Sequence, residues 1–219
     1  MVTTFLTQLK SDIKHVFQTV KKESPVLYWV VMFCLLLTVA CIPGYFTDDR
    51  MLMGVSVWLK PMKFCISTAI YMLTLGYFIT LYPYSKRKKW FINGIVSWTL
   101  LVELGIIVVQ GVRGVQSHYN FESANDALAF AAMGVLIGIN VLIMVLFVID
   151  TIRLKLNTEK SIQWAILIAW VMVIIGSWVG GQMISQMSHN VGIADGGEGL
   201  AFLNWSTIAG DLRVAHFFG

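Results

Sequence analysis

The sequence predicts an all-α, polytopic transmembrane helix bundle with five full spans, the start of a sixth, and an amino-terminal amphipathic helix lying in the membrane interface. Two observations carry this. Hydrophobic residues make up 57% of the 219 residues and charged residues 13%, against roughly 45–50% and 25% in an ordinary soluble chain. The apolar residues are gathered into five runs, each near the ~20 residues that cross a hydrocarbon core of about 30 Å. The lipid bilayer is therefore the first expected partner. A net charge of +4 would point to nucleic acid or anionic lipid in a soluble chain. Here the cations cluster beside the ends of the runs, a topology signal that leaves no case for nucleic acid.

The elements follow in order. Phe5, Leu9, Ile13, Val16, Phe17 and Val20 recur every three or four positions, with Lys10, Asp12, Lys14 and Lys21 opposite, so residues 1–24 read as a cytoplasmic amphipathic interfacial helix. This polar stretch is unlike a cleaved signal peptide, and the first span is expected to stay in the mature chain. Residues 25–219 form the bundle. Ser24 offers an N-cap and Pro25 a first-turn proline for a span over 25–44, which Pro43-Gly44 should break. Further spans are expected at 62–83, ending at Pro83, then at 90–111, 126–149 and 162–184. A long loop, Ser185 to Gly210, is glycine-rich around Asp195-Gly196-Gly197-Glu198-Gly199, and loops of that length in compact folds are functional or disordered. A partial helix starts at Asp211; the eight residues that follow it rise only about 12 Å, so the natural chain is expected to continue. Cys34, Cys41 and Cys65 all sit within apolar runs and form no disulfide framework.

Orientation follows from the basic residues. Lys10, Lys14, Lys21, Lys22, Lys86, Arg87, Lys88, Lys89, Arg153, Lys155 and Lys160 fall on one side; Arg50, Lys60, Lys63, Arg113 and Arg213 fall on the other. Eleven against five places the amino terminus in the cytoplasm and the loops after the third and fifth spans outside. Those two outward segments resemble each other: Trp98, Gln110 and Ser117-His118 are matched by Trp170, Gln182 and Ser188-His189, and Ala129-Phe130 by Ala201-Phe202. A parallel repeat of helical hairpins and coincidence are both open readings.

Several residues could carry chemistry. His118, His189 and His216 fall at the outer surface, where imidazoles serve as interface anchors, as acid/base groups, or as ligands of a transition metal or haem b. Glu103 sits mid-span, where a carboxylate costs about 2.5–3.5 kcal/mol on insertion scales. It either opens a polar path through Gln110 towards Arg113 or is protonated and hydrogen-bonded to a neighbouring helix. Lys60 and Lys63 anchor the second span at the headgroups, or form an anion site with the N–H groups behind Pro61. Asp211 pairs with Arg213 or caps the last helix. Gly134-x-x-x-Gly138 and Gly176-x-x-x-Gly180 mark close helix contacts, within the chain or in an oligomer. Asn204-Trp205-Ser206 fits a glycosylation sequon.

The blocks Trp58-Leu59-Lys60-Pro61-Met62-Lys63-Phe64, Arg113-Gly114 with Ser117-His118 and Asn120, and Asn204-Trp205-Ser206 followed by Gly210-Asp211-Leu212-Arg213-Val214-Ala215-His216-Phe217 resemble a family of bacterial multi-pass inner-membrane proteins. The resemblance implies that location and a continuing last helix; it carries no substrate, cofactor or mechanism.

Three functional expectations result. The first is a membrane enzyme or redox protein with an outward site, in which Glu103, Arg113 and Asp211 are catalytic, His118, His189 and His216 ligate metal, and Lys60, Lys63 and Arg213 bind an anionic group of a lipid, quinone or other ligand. The second is a proton or small-solute transporter using Glu103, Gln110 and Gln182. The third is a scaffold subunit. The topology is testable: in a cysteine-free background, Arg87→Cys should resist a membrane-impermeant thiol reagent added outside the cell, and efficient labelling would reverse the orientation.

Overall fold

A computed structural model describes residues 2–191, 201, 202, 205, 206 and 210–218. Its helices are α1 (Val2–Glu23), α2 (Pro25–Thr47), α3 (Leu59–Phe78), α4 (Lys86–Arg113), α5 (Ala124–Arg153), α6 (Lys160–Gln186) and α7 (Leu212–Phe218). A 3-10 turn, Ile79–Leu81, extends α3. Five helices, α2 to α6, are long and apolar enough to cross a membrane, as expected of a multi-pass membrane protein. Helices satisfy their own backbone groups, which lipid cannot do. Among the described residues, two two-residue hairpins complete the secondary structure: β1 (Met51–Leu52) with β2 (Val55–Ser56), and β3 (Ala201–Phe202) with β4 (Trp205–Ser206). The first turns through Met53 and Gly54, both at positive φ, which is the backbone twist of a tight hairpin.

Consecutive helices from α2 to α7 pack on one another, and α1 packs on α2 and α3. Short connections make the neighbours from α2 to α6 antiparallel. The core runs through Leu27, Val31 and Cys34 of α2, Cys65, Met72 and Leu75 of α3, Val96 and Leu104 of α4, and Phe147 and Trp170 of α5 and α6. The three cysteines are free and buried. Helix α1 joins only by its carboxyl-terminal half: Val20 is fully buried against Gly76, while Phe5, Leu6, Leu9 and Ile13 are exposed.

Pro43 does not end α2, which continues to Thr47. A proline within the last turn removes a single ladder bond, and the Thr47 hydroxyl donates to the Pro43 carbonyl at 2.8 Å. The Trp58 indole occupies the space a Cβ on Gly44 would need, so this glycine serves packing instead of a break. Helices α3 to α6 also begin earlier than expected. The Lys86 to Lys89 run is the first turn of α4, capped by Ser85, and Ser123 caps α5.

Polar groups gather at both ends of the bundle. At the basic end, Asp150 of α5 accepts from Lys88 and from Tyr84, each at 2.7 Å. Tyr82 meets Thr151 at 2.5 Å and accepts from the Trp170 indole at 3.1 Å, and Phe147 stacks on Trp170 at 4.9 Å. At the opposite end, which bears His118 and His189, Arg50 donates to the Val112 carbonyl at 2.8 Å. That places a cation on the carboxyl terminus of α4, where the helix dipole favours it. Arg50 and Trp58 both bond Asp48 and hold its carboxyl well below the usual carboxylate range. The α3–α4 contact is closest at Gly111, where a Cβ would lie 2.8 Å from Pro61 Cγ and 3.2 Å from the Val57 carbonyl. Gly111→Val should therefore cost about 1–3 kcal/mol, read as a lowered unfolding midpoint in detergent. An unchanged midpoint would show that the contact is looser than described.

Candidate functional site

A lysine in the first turn of α3, Lys60, defines the site. Its Nζ is 3.1 Å from Nδ1 of His118, in the loop between α4 and α5. Ser117 Oγ is 3.1 Å from the same nitrogen. Phe64, Tyr119 and Phe130 surround the imidazole with ring centroids 5.9–6.3 Å away. Tyr119, at positive φ, bridges onward to His189 at 5.2 Å. Burial first, then the Lys60 ammonium and the other two histidines, push His118 well below its ordinary value of 6.5. His118 is accordingly neutral at pH 7.

This contact fixes the tautomer. An ammonium has donors and no acceptor, so Nδ1 of His118 accepts and the ring proton sits on Nε2. His216 is the reverse: its Nδ1 lies 2.7 Å from the Gly176 carbonyl and must carry the hydrogen. The three histidines share one end of the bundle, since His118 feels the charge of both others, but they do not present three lone pairs to one point. Among the described residues, no group of three His, Cys, Asp or Glu is placed to hold a metal ion.

Charged groups of three elements act on this centre. Lys60 feels both Arg213 and Glu103, and Lys63 feels Arg213. Arg213 pairs with Asp211 at 2.6 Å. Asp211 is bridged to Asn190, and the Leu212 N–H donates to the His189 carbonyl at 2.9 Å. From there α7 runs back along α6 until His216 reaches Gly176, with its ring 3.3 Å from where a Cβ on Gly180 would stand. The Gly176/Gly180 notch is thus a seat for α7. Gly134 and Gly138 have open space around them.

Glu103 is 6% exposed, on the α4 face one turn from Thr99, which accepts from Asn140 of α5 at 2.8 Å. Gln110 and Arg113 do not continue this line to the histidines. Both are engaged by Asp126 at the start of α5: Gln110 donates to it at 2.8 Å, Arg113 forms an ion pair with it, and Ser123 donates at 2.6 Å. Gln110 also accepts from Arg113 at 2.6 Å. Gln182 is exposed on α6, whereas Gln110 is buried. Nor are the repeat positions equivalent: Trp98 is 62% exposed and Trp170 is 3% exposed. The Asp195 to Gly199 segment and Asn204 lie outside the described residues.

Sequence reasoning assigned no role to Asp126, Asp150, Ser117 or the Tyr82–Trp170 pair. Asp126 and Asp150 stand at the ends of an apolar run and read as boundaries; Ser123, three residues ahead of Asp126, was the available capping signal. No family model, curated protein or solved structure matches the chain.

The neutral state of His118 has a pH signature. Between 6.5 and the lower folded value the unfolded chain binds more protons than the folded one, so stability falls as pH drops through that window. Melting of the detergent-solubilised protein should show this decline below pH 6.5, and His118→Gln should remove that part of it. An identical pH profile in the variant would contradict the assignment.

Proposed function

We propose that this is an inner-membrane protein with a cytoplasmic amino terminus, whose α1 lies in the interface through Phe5, Leu6, Leu9 and Ile13, and whose histidine end faces outward and binds an anionic group. The contact of Lys60 with His118 carries the proposal. It turns the free edge of the imidazole into a donor, so that Lys60, Arg213 and His118 Nε2–H all offer hydrogens, and Lys and Arg have no acceptor to offer. Among the described residues, three cations stand against two carboxylates, of which Asp211 is already paired with Arg213. Such a set suits an oxyanion, and at this depth a lipid phosphate or another membrane-soluble anionic ligand is the natural source.

Metal or haem ligation by His118, His189 and His216 has less support, because Nδ1 of His118 is taken and its other nitrogen is protonated. Of the expected catalytic residues, Arg113 and Asp211 are held in ion pairs. A proton-transfer role falls to Glu103, which feels Lys60. That buried carboxylate favours transport of a proton as the second reading.

Binding of short-chain phosphatidylglycerol to the purified protein tests the proposal. Lys60→Met and Arg213→Met should each weaken binding about tenfold, the loss of a hydrogen bond to a charged group, while Lys86→Met should not. Equal affinity in all four proteins would contradict an anion site at this end.

A further inference from the structure

On the outer side of α4, a cleft of about 350 Å³ runs between α4 and α5. Val102, Ile106 and Val109 of α4 and Ala129 of α5 form apolar walls. At Gly105 the cleft is open enough that a Cβ would meet nothing within 4 Å. Arg113 stands at the mouth with 48% of its side chain exposed. The eight residues from Gly105 to Arg113 rise about 12 Å, so the cleft leads from a charged mouth into the apolar depth of the bundle.

The charges at the mouth select among headgroups. Arg113 uses Nη1 and Nη2 on Asp126 and Gln110, which leaves its Nε–H for a further acceptor. Asp126 is 3% exposed and saturated by Gln110, Arg113 and Ser123. Glu122 is exposed in the adjoining loop and acts on Arg113 through its charge. Among the described residues, two carboxylates stand against the Arg113 guanidinium, and the neighbouring Arg50 is paired with Asp48, which leaves an excess negative charge beside a cation. A purely anionic headgroup would meet Glu122 uncompensated.

We propose that this cleft holds one acyl chain of a phospholipid whose headgroup carries both a phosphate and a primary ammonium, with the phosphate at Arg113 and the ammonium towards Glu122. The site is separate from the anion site of Lys60 and His118 and does not depend on it.

Native mass spectrometry of the full chain in detergent tests the proposal, with phosphatidylethanolamine and phosphatidylglycerol of identical acyl chains added at equal concentration. Glu122→Gln should lower the ratio of ethanolamine to glycerol adducts by about twofold to fivefold, the strength of one exposed ion pair. Ala129→Phe, which fills the cleft from α5, should reduce the ethanolamine adduct itself. An unchanged ratio in Glu122→Gln overturns the headgroup assignment and the proposal with it. An unchanged adduct in folded Ala129→Phe, or a dimer that carries no lipid, shows that the cleft has another occupant. Should Ala129→Phe not fold, the exposed Glu122→Gln change decides.

Discussion

Helices α4 and α5 are fastened to each other at both ends, and the arrangement of the other elements depends on that. Lys88 meets Asp150 at one end, and Arg113 meets Asp126 at the other. Lys88 and Arg113 are 25 positions apart on α4, and Asp126 and Asp150 are 24 apart on α5, or about 37 Å on each helix. The equality of the two lengths sets the antiparallel register. Lipid supplies no hydrophobic drive to hold two apolar helices in one register. Polar groups at the ends can do so, because Asp150 and Asp126, without Lys88 and Arg113, would each stand as a poorly solvated charge.

From this pair the site follows. Fixing the carboxyl end of α4 fixes the loop that carries Ser117, His118 and Tyr119. Arg50 secures the same end from α2, and Pro61 against Gly111 brings in the first turn of α3. Lys60 then has His118 within reach. At the other side of the imidazole, Tyr119 leads to His189 and so to the start of α7, whose Arg213 completes the cationic set. The basic end is locked by Tyr82, Tyr84, Thr151 and Trp170, so the two ends of the bundle differ in kind. One is a closed aromatic network and the other a cluster of ion pairs and imidazoles.

Much of the fold was legible because five long apolar runs in one chain suit a set of membrane spans and little else, and a buried Glu103 was legible because a mid-span carboxylate is costly. The clamps were not. Lys88 belongs to a basic run whose obvious meaning is topology, and Asp126 and Asp150 sit where spans are expected to stop. Their pairing joins residues across loops, where no helical period points from one to the other. For the same reason Gln110 and Arg113, singled out by spacing along α4, were joined in expectation to Glu103 instead of to Asp126 across the turn. The Gly176-x-x-x-Gly180 pattern announced a close approach, but glycine spacing cannot say that the approaching group is His216 of α7.

The donor character of the site rests on one proton. Nitrogen-15 NMR of the histidine-labelled protein at pH 7, with His118 assigned by His118→Gln, reads it directly. The expected spectrum shows His118 protonated at Nε2 and bare at Nδ1, as its contact with Lys60 requires. A proton on Nδ1, or an imidazolium with both nitrogens protonated, would contradict the contact and the anion site built on it.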